Sequence, residues 1–349
     1  MNEAQLKDFV ESYEIVKEIP FPNNRTFSSI LYDSHGNRVI AGTMGGIGVW
    51  GCEDYELTYF DPSSTKIQDM AYDQENDLLY YIGGDDRKVW SKDMQQGKDG
   101  KHIDLQFSVD SEAYLLVYNG IEKQLYGAGR NRVGVFTRGQ LDSWNALKLD
   151  MNAFCNGVNT IGFGNIDGTD TRYFGTGNGF VQAWQAQHLY KSKSLGNLVS
   201  SLRVDQYRNH VWVNGMKRGV ITQCDMDLEN AKNIQYAGAL TSTQAFGHDC
   251  TSNLLCIASD IVKEGGSQYN MYIVSPQITD DFGAPIIQIN MPLKNFPTDV
   301  ACDRVRNIFY VCLHDRICVV KPKTPLLTIL TSQAFLIYSH FLSSVAIPD

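Results

Sequence analysis

One unit recurs seven times along this chain, and a repeat of that length and number leaves few folds open. Five segments share the order apolar, any residue, apolar, Asp or Asn, three residues, then Asn, Asp or Lys before an apolar run. They are ILYDSHGNRVIAG (Asp33, Asn37), MAYDQENDLLYYIG (Asp73, Asp77), LVYNGIEKQLYGAG (Asn119, Lys123), LRVDQYRNHVWVNG (Asp205, Asn209) and VACDRVRNIFYVCL (Asp303, Asn307). A sixth, AFGHDCTSNLLCIAS, keeps Asp249 and Asn253 at the same separation, and a seventh, IGFGNIDGTDTRYFGTG, fits with a short insertion after Asn165. A second landmark follows each turn acid by 17 residues: Trp50, Trp90, Phe136, Thr222 and Val320. In the unit with the insertion it is Trp184, 19 residues on, and in the sixth unit a longer turn carries it to Val274.

Each unit reads as a four-stranded antiparallel meander. Asp or Asn opens the first turn because its side chain caps nearby amides and tolerates unusual torsions. The second turn is glycine-rich, as in GTMGGIG and GTGNGF, which permits the positive φ of tight hairpins. Thirty glycines and 34 Phe or Tyr residues suit many short strands. The large residues Trp50, Trp90, Phe136 and Trp184 are placed to pack between neighbouring units. A single unit cannot bury both faces, so the array must close on itself. The expected fold is all-β: a seven-bladed β-propeller of four-stranded antiparallel blades with a short C-terminal tail.

The strand endings GVWG, KVWSKD and VQAWQA, together with the turn aspartates, resemble the WD-repeat family over residues 13 to 331. The Gly-His pair of that family is missing, and the Asp of its Trp-Asp signature is replaced by Gly51, Ser91 and Gln185. These departures weaken the expectation of the family's buried Asp–His–Ser/Thr–Trp network but leave the repeat intact. The expected organisation is an N-terminal extension over 1–12 and a propeller over 13–324. Its blades fall near 26–64, 65–106, 107–150, 151–196, 197–238, 239–291 and 292–324. The resemblance implies that YEIVKEIP, residues 13–20, closes the last blade beside Ile317 to Lys321, with Leu326 to Leu330 as the alternative.

The apolar tail, 325–349, has no Asp, Glu, Lys or Arg between Leu326 and Ile347. That length can span a bilayer, but eight Thr, Ser, Gln and His residues interrupt it. Three readings follow: packing against the propeller, binding a partner through an apolar helical face, or anchoring in a membrane through 326–347. The first fits its polarity best.

Composition narrows the function. A net charge of −9 argues against general nucleic-acid binding. The first 13 residues carry Glu3, Lys7, Asp8 and Glu11 without an apolar run, so no secretory signal is read there. Eight scattered cysteines without a C-x-x-C pair read as reduced core thiols, which points to a cytoplasmic protein.

No nucleophile elbow, zinc-protease motif or phosphate loop occurs. The glycine patterns at 42–48 and 175–180 lack the following helix that a phosphate cradle requires. His248-Asp249 is the nearest approach to a catalytic pair, but it sits at a turn position and reads as a cap. Only Asp69 and Asp299 are plausible carboxylates on innermost strands. The expectation is no catalytic residues, no metal and no cofactor. Basic residues gather in the turns between second and third strands: Arg87, Lys88, Arg130, Arg132, Lys217, Arg218 and Arg316, against Asp85, Asp86 and Asp315. The function expected is a protein–protein interaction scaffold, a subunit of a cytoplasmic assembly, whose basic turn face grips an acidic or phosphorylated segment of another protein. The alternatives are a propeller enzyme acting at the channel mouth and a propeller docked on membrane phosphoinositides.

Overall fold

The computed structural model describes residues 3–21, 26–62, 66–83, 88–108, 114–128, 133–138, 144–149, 157–186, 188–215, 219–238, 241–263, 266–276 and 287–324. Among the described residues one α-helix, Glu3–Glu11, precedes 28 strands, which form seven four-stranded antiparallel sheets. The chain is a seven-bladed β-propeller. Blade 1 consists of Phe27–Asp33, Arg38–Thr43, Gly46–Gly51 and Leu57–Pro62, from the channel outwards. The innermost strands of blades 2 to 7 are Ile67–Asp73, Leu115–Asn119, Val158–Ile166, Val199–Asp205, Thr241–Asp249 and Pro297–Asp303.

The repeated acid ends the innermost strand and builds the turn that follows it. Asp33, Asp249 and Asp303 each accept the backbone N–H two residues on, at 2.9, 2.9 and 3.0 Å. Asp73 and Asn119 do the same at 3.1 Å. The residue four positions past the acid adopts the left-handed conformation: Asn37, Asp77, Lys123, Asn209, Asn253 and Asn307 have φ between 47° and 58°. Asn and Asp are tolerated there because their short polar chains bond locally, whereas Lys123 carries the full steric cost.

Blade 4 differs from the sequence reading. There is no insertion after Asn165. Both strands run on to Ile166 and from Thr169, joined by the two-residue turn Asp167-Gly168 with φ of 49° and 83°. Two positive φ values in succession match the twist of the paired strands.

The constant spacing to the third strand does not mark a constant place in the sheet. In blades 1, 3 and 7 the residue 17 after the turn acid pairs with the one 6 after it: Trp50 with Val39, Phe136 with Leu125, Val320 with Phe309. In blades 2 and 5 the intervening turn is two residues longer, so Leu79 pairs with Lys92 and Val211 with Cys224. The counterparts of Trp50 are therefore Lys92 and Cys224, not Trp90 and Thr222. Each is followed by an aspartate, Asp93 and Asp225.

Seven apolar clusters form the core, one at each junction between consecutive blades. The junction of blades 7 and 1 holds Trp50, Ala41, Tyr310 and Val319, with Phe21 edge-on to Phe27 and Trp50 at 4.9 and 5.7 Å. Because every blade buries its two faces against different neighbours, stability depends on an unbroken ring. Glycines allow the closest approaches: a Cβ on Gly42 would meet Ile67 Cγ2 at 2.6 Å, and one on the equivalent Gly175 would meet Val199 Cγ1 at 2.5 Å.

The ring is joined by pairing Tyr13–Pro20 with Arg316–Pro322. The Tyr13 hydroxyl donates to the Asn307 carbonyl at 3.1 Å, and Phe9 and Val10 of the preceding helix pack into the junction of blades 6 and 7. Residues 326–347, including the alternative closing strand at Leu326, lie outside the described residues. Among the described residues, no helix is long and apolar enough to cross a membrane.

Candidate functional site

An antiparallel meander sends the turns after first and third strands to one face of the ring and those after second strands to the other. Of the basic residues expected on the second-strand face, Arg87, Arg130, Arg132, Lys217 and Arg218 lie outside the described residues. The other two are paired. Lys88 Nζ lies 2.6 Å from Asp104 and 5.9 Å from the centre of the Trp90 ring. Arg316 binds Glu18 at 2.8 Å and Asp315 at 2.7 Å, and Lys294 meets the same Glu18 oxygen at 2.8 Å. The bonds to Lys294 and Arg316 hold the Glu18 carboxyl below the usual carboxylate range.

The central channel encloses about 580 Å³ and is lined by all seven innermost strands. A register shift recurs in six of them, at Ser28, Gln68, Asn159, Ser200, Gln244 and Thr298. Such a bulge re-aims the side chain after it. Those next residues include Ser29, Asp69, Thr160, Ser201 and Asp299, and they form a polar ring.

Their acceptors reach across to the next blade. Asp299 Oδ2 of blade 7 accepts the Ile30 N–H of blade 1 at 3.0 Å and the Ser29 hydroxyl at 3.3 Å. Asp69 Oδ2 of blade 2 accepts the Leu116 N–H of blade 3 at 2.7 Å. Thr160 Oγ1 of blade 4 accepts the Leu202 N–H of blade 5 at 3.1 Å. Innermost strands expose one edge of unpaired amides, and these residues satisfy it. The two aspartates that the sequence placed near the channel do lie there, serving as inter-blade acceptors.

Burial, with Asp299 nearby, pushes the Asp69 carboxyl up to about 7, against the opposing bonds from the Leu116 and Met70 amides. Burial raises Asp299 too, opposed by the Ile30 amide and the Arg203 charge. Arg203 is itself lowered by burial, and donates to the Leu202 carbonyl at 2.8 Å and Ser201 Oγ at 3.1 Å. The three groups make a compact polar centre whose bonds are directed at protein atoms.

The histidine–aspartate pair of blade 6 separates in space. Asp249 accepts from Thr251 N at 2.9 Å, Ser252 Oγ at 2.6 Å and Asn307 Nδ2 at 2.7 Å, so it caps its turn and latches blade 7. His248 turns towards blade 5, with Nε2 3.7 Å from Asp205. Burial depresses its pKa to about 4.

A second constellation escaped the sequence reading. At the junction of blades 1 and 2, Tyr81 Oη lies 2.5 Å from His102 Nδ1, and His102 Nε2 lies 2.7 Å from Asp61 Oδ2. Lys92, wholly buried, reaches the same carboxylate oxygen at 2.6 Å and donates to the Gly100 carbonyl at 2.8 Å. His102 Nε2 donates to the Asp61 carboxylate, and Nδ1 is hydrogen-bonded to the Tyr81 hydroxyl. The chain of hydroxyl, imidazole and carboxylate is built from two adjacent blades. Its hydroxyl is sealed in their interface, since Tyr81 is buried. It is a clasp between blades. The signal available in the sequence was Lys92, a charge at the position Trp50 holds in blade 1.

No family model matches the sequence, and no curated protein matches it. Among solved structures the fold is similar to the β-propeller domain of Myceliophteria thermophila Cps50 (Swd1), with a TM-score of 0.67 and 13% identity over 88% of this chain and 99% of that one. It is similar also to the WD40 β-propeller domain of Doa1, with a TM-score of 0.68 and 13% identity over 88% of this chain and 96% of that one. At this identity the likeness is one of fold: a seven-bladed propeller of WD40 type.

Proposed function

We propose that the protein is a non-catalytic scaffold for protein–protein interaction, a subunit of a larger cytoplasmic assembly. Propellers of the WD40 fold typically serve as such scaffolds. The observation that carries the reading is how the ionisable groups of the channel are used. Asp69 and Asp299 accept backbone amides of the next blade, and Arg203 donates to its own strand. Groups committed to holding the ring are poorly placed to exchange protons with a substrate. The ring instead offers two rigid faces of turns, and recognition concentrates on loops held by a rigid scaffold.

The partner segment we propose for the second-strand face is acidic or phosphorylated, bound by Arg87, Lys88, Arg130, Arg132, Lys217, Arg218 and Arg316. Guanidinium forks match carboxylate and phosphate in a bidentate way. The test is co-purification from native extract. Full-length protein, the charge-reversed Arg130→Glu/Arg132→Glu/Arg218→Glu variant and a truncation after Lys323 are compared by mass spectrometry. A stoichiometric partner set lost on charge reversal is the expected result. The same set retained by that variant would remove the basic-turn part of the proposal. A set lost on truncation would assign the contact to the tail, and no set in any sample would overturn the scaffold.

A further inference from the structure

The opposite face carries apolar side chains that folding does not explain. The three most exposed large hydrophobic residues among the described residues are Tyr207, Val305 and Ile121, at 88%, 85% and 83% exposure. All three occupy one repeat position, two residues past the turn acid, in blades 5, 7 and 3. The turn itself uses the backbone N–H at this position and leaves the side chain in water. In blades 1, 2 and 6 the same position holds His35, Glu75 and Thr251, also exposed. The turn therefore forms equally well with polar residues, and three apolar ones mark a contact surface.

Charge divides this surface. Around Tyr207 and Val305 stand Arg208, Arg304 and Arg306. The acids of this sector, Asp205, Asp249 and Asp303, are fully buried within the turns. Arg208 and Arg306 cover Asp205 and Asp303 at 2.9 and 3.4 Å, leaving their outer faces exposed to solvent. Arg304 lines the channel mouth, is exposed, and has no hydrogen-bond or ion-pair partner among the described residues. The small, neutral turn of blade 6 lies between, with Thr251 at its tip. Around Ile121 the charges are paired off instead: Glu122 with Arg172 at 2.9 Å, and Glu75 of blade 2 with Lys123 at 3.3 Å. Further out on blade 5, Asp225 and Asp227 bound the basic sector, while Glu229 beside them is paired with Lys191.

We infer that the sector of this face formed by blades 5 to 7 docks a short protein segment in which an apolar side chain is flanked by carboxylates. Tyr207 and Val305 supply the dry contact, and a Tyr beside Arg is the combination over-represented at interface hot spots. Arg304 grips a carboxylate at the channel mouth. The acids on the rim of blade 5 repel the same segment and hold it to the inner ring. The inference rests on the scaffold reading and adds a second docking face to it.

The test is selection of a displayed random peptide library on the immobilised full-length protein. Enriched peptides are then titrated by fluorescence anisotropy. Sequences with an apolar residue between acids are expected to be enriched. Their binding should weaken roughly tenfold or more in Tyr207→Ser/Val305→Ser and in Arg304→Glu. It should be unchanged in Met44→Ser, which removes an exposed apolar residue from the other face. These positions are exposed, so the variants should melt like the parent. Basic enriched sequences, or acidic ones indifferent to both variants, would overturn the inference. Acidic peptides lost only in the Arg130→Glu/Arg132→Glu/Arg218→Glu variant would overturn it while leaving the scaffold reading in place. Binding of phosphatidylserine vesicles in preference to any peptide would overturn both.

Discussion

Asp299 in the last blade accepts the backbone N–H of Ile30 in the first at 3.0 Å, across the seam where the two ends of the ring meet. The contact fastens the seam from within the channel, while the pairing of Tyr13–Pro20 fastens it from outside. Asp299→Ala strands a partly buried amide and hydroxyl, and should cost about 1–3 kcal/mol. Asp299→Asn keeps an acceptor oxygen and should cost less. Urea unfolding midpoints check both, and equal losses would show that the bond to Ile30 is not what the carboxylate contributes.

The raised pKa of Asp69 ties stability to pH in an unusual direction. The folded carboxyl titrates near 7 and the unfolded one near about 4, so the folded state holds the proton between those values. Stability from this group is full below the unfolded value and falls as pH rises through about 7. The groups facing it are Asp299, Arg203, Ser29 and the amides of Leu116 and Met70. Asp69→Asn is neutral throughout. Its melting temperature should therefore gain on the parent between about pH 4 and about pH 7. A constant difference across that range would refute the shift.

Lys123 alone among the six equivalent turn residues is neither Asn nor Asp, yet it holds φ of 53°. Lys123→Asn should stabilise the fold by about 0.5–1 kcal/mol, because Asn tolerates the left-handed region better. Thermal melting reads this directly. The reverse change, Asn307→Lys, should destabilise, and by more, since Asn307 also donates to Asp249 at 2.7 Å.

The clasp at Asp61 and Lys92 predicts a strong non-additivity. Asp61→Ala leaves the buried ammonium with carbonyl partners alone and should cost about 3–5 kcal/mol. Lys92→Met removes the charge as well, and the double variant should recover most of the loss. Additive losses in denaturant unfolding would mean the ion pair contributes little.

The turn acids and their left-handed partners were legible because they recur at fixed spacing with one chemical job each. Asp69 and Asp299 were legible as channel residues because they precede the turn acid by four. Their role was not, since an inter-blade hydrogen bond joins residues such as Asp69 and Leu116, whose separation in sequence encodes nothing. The spacing rule misplaced Trp90 and Thr222 because it counts residues, whereas the sheet counts pairs and a turn longer by two shifts them. The same counting turned the tight Asp167-Gly168 hairpin of blade 4 into an insertion. Tyr207 and Val305 passed unnoticed because one apolar residue in a polar turn is ordinary. Only their shared position, seen on one face, sets them apart.

Tyr13 pairs with Pro322, a separation of 322 − 13 = 309 residues. A ribosome adds about 5–20 residues per second, so the closing strand waits on the order of 15–60 s for its mate to be made. Throughout that interval it is an unpaired edge, beside a helix whose Phe9 and Val10 have nowhere to go. Production of this protein should therefore lean on a holding chaperone at the nascent N-terminus more heavily than its finished stability would suggest.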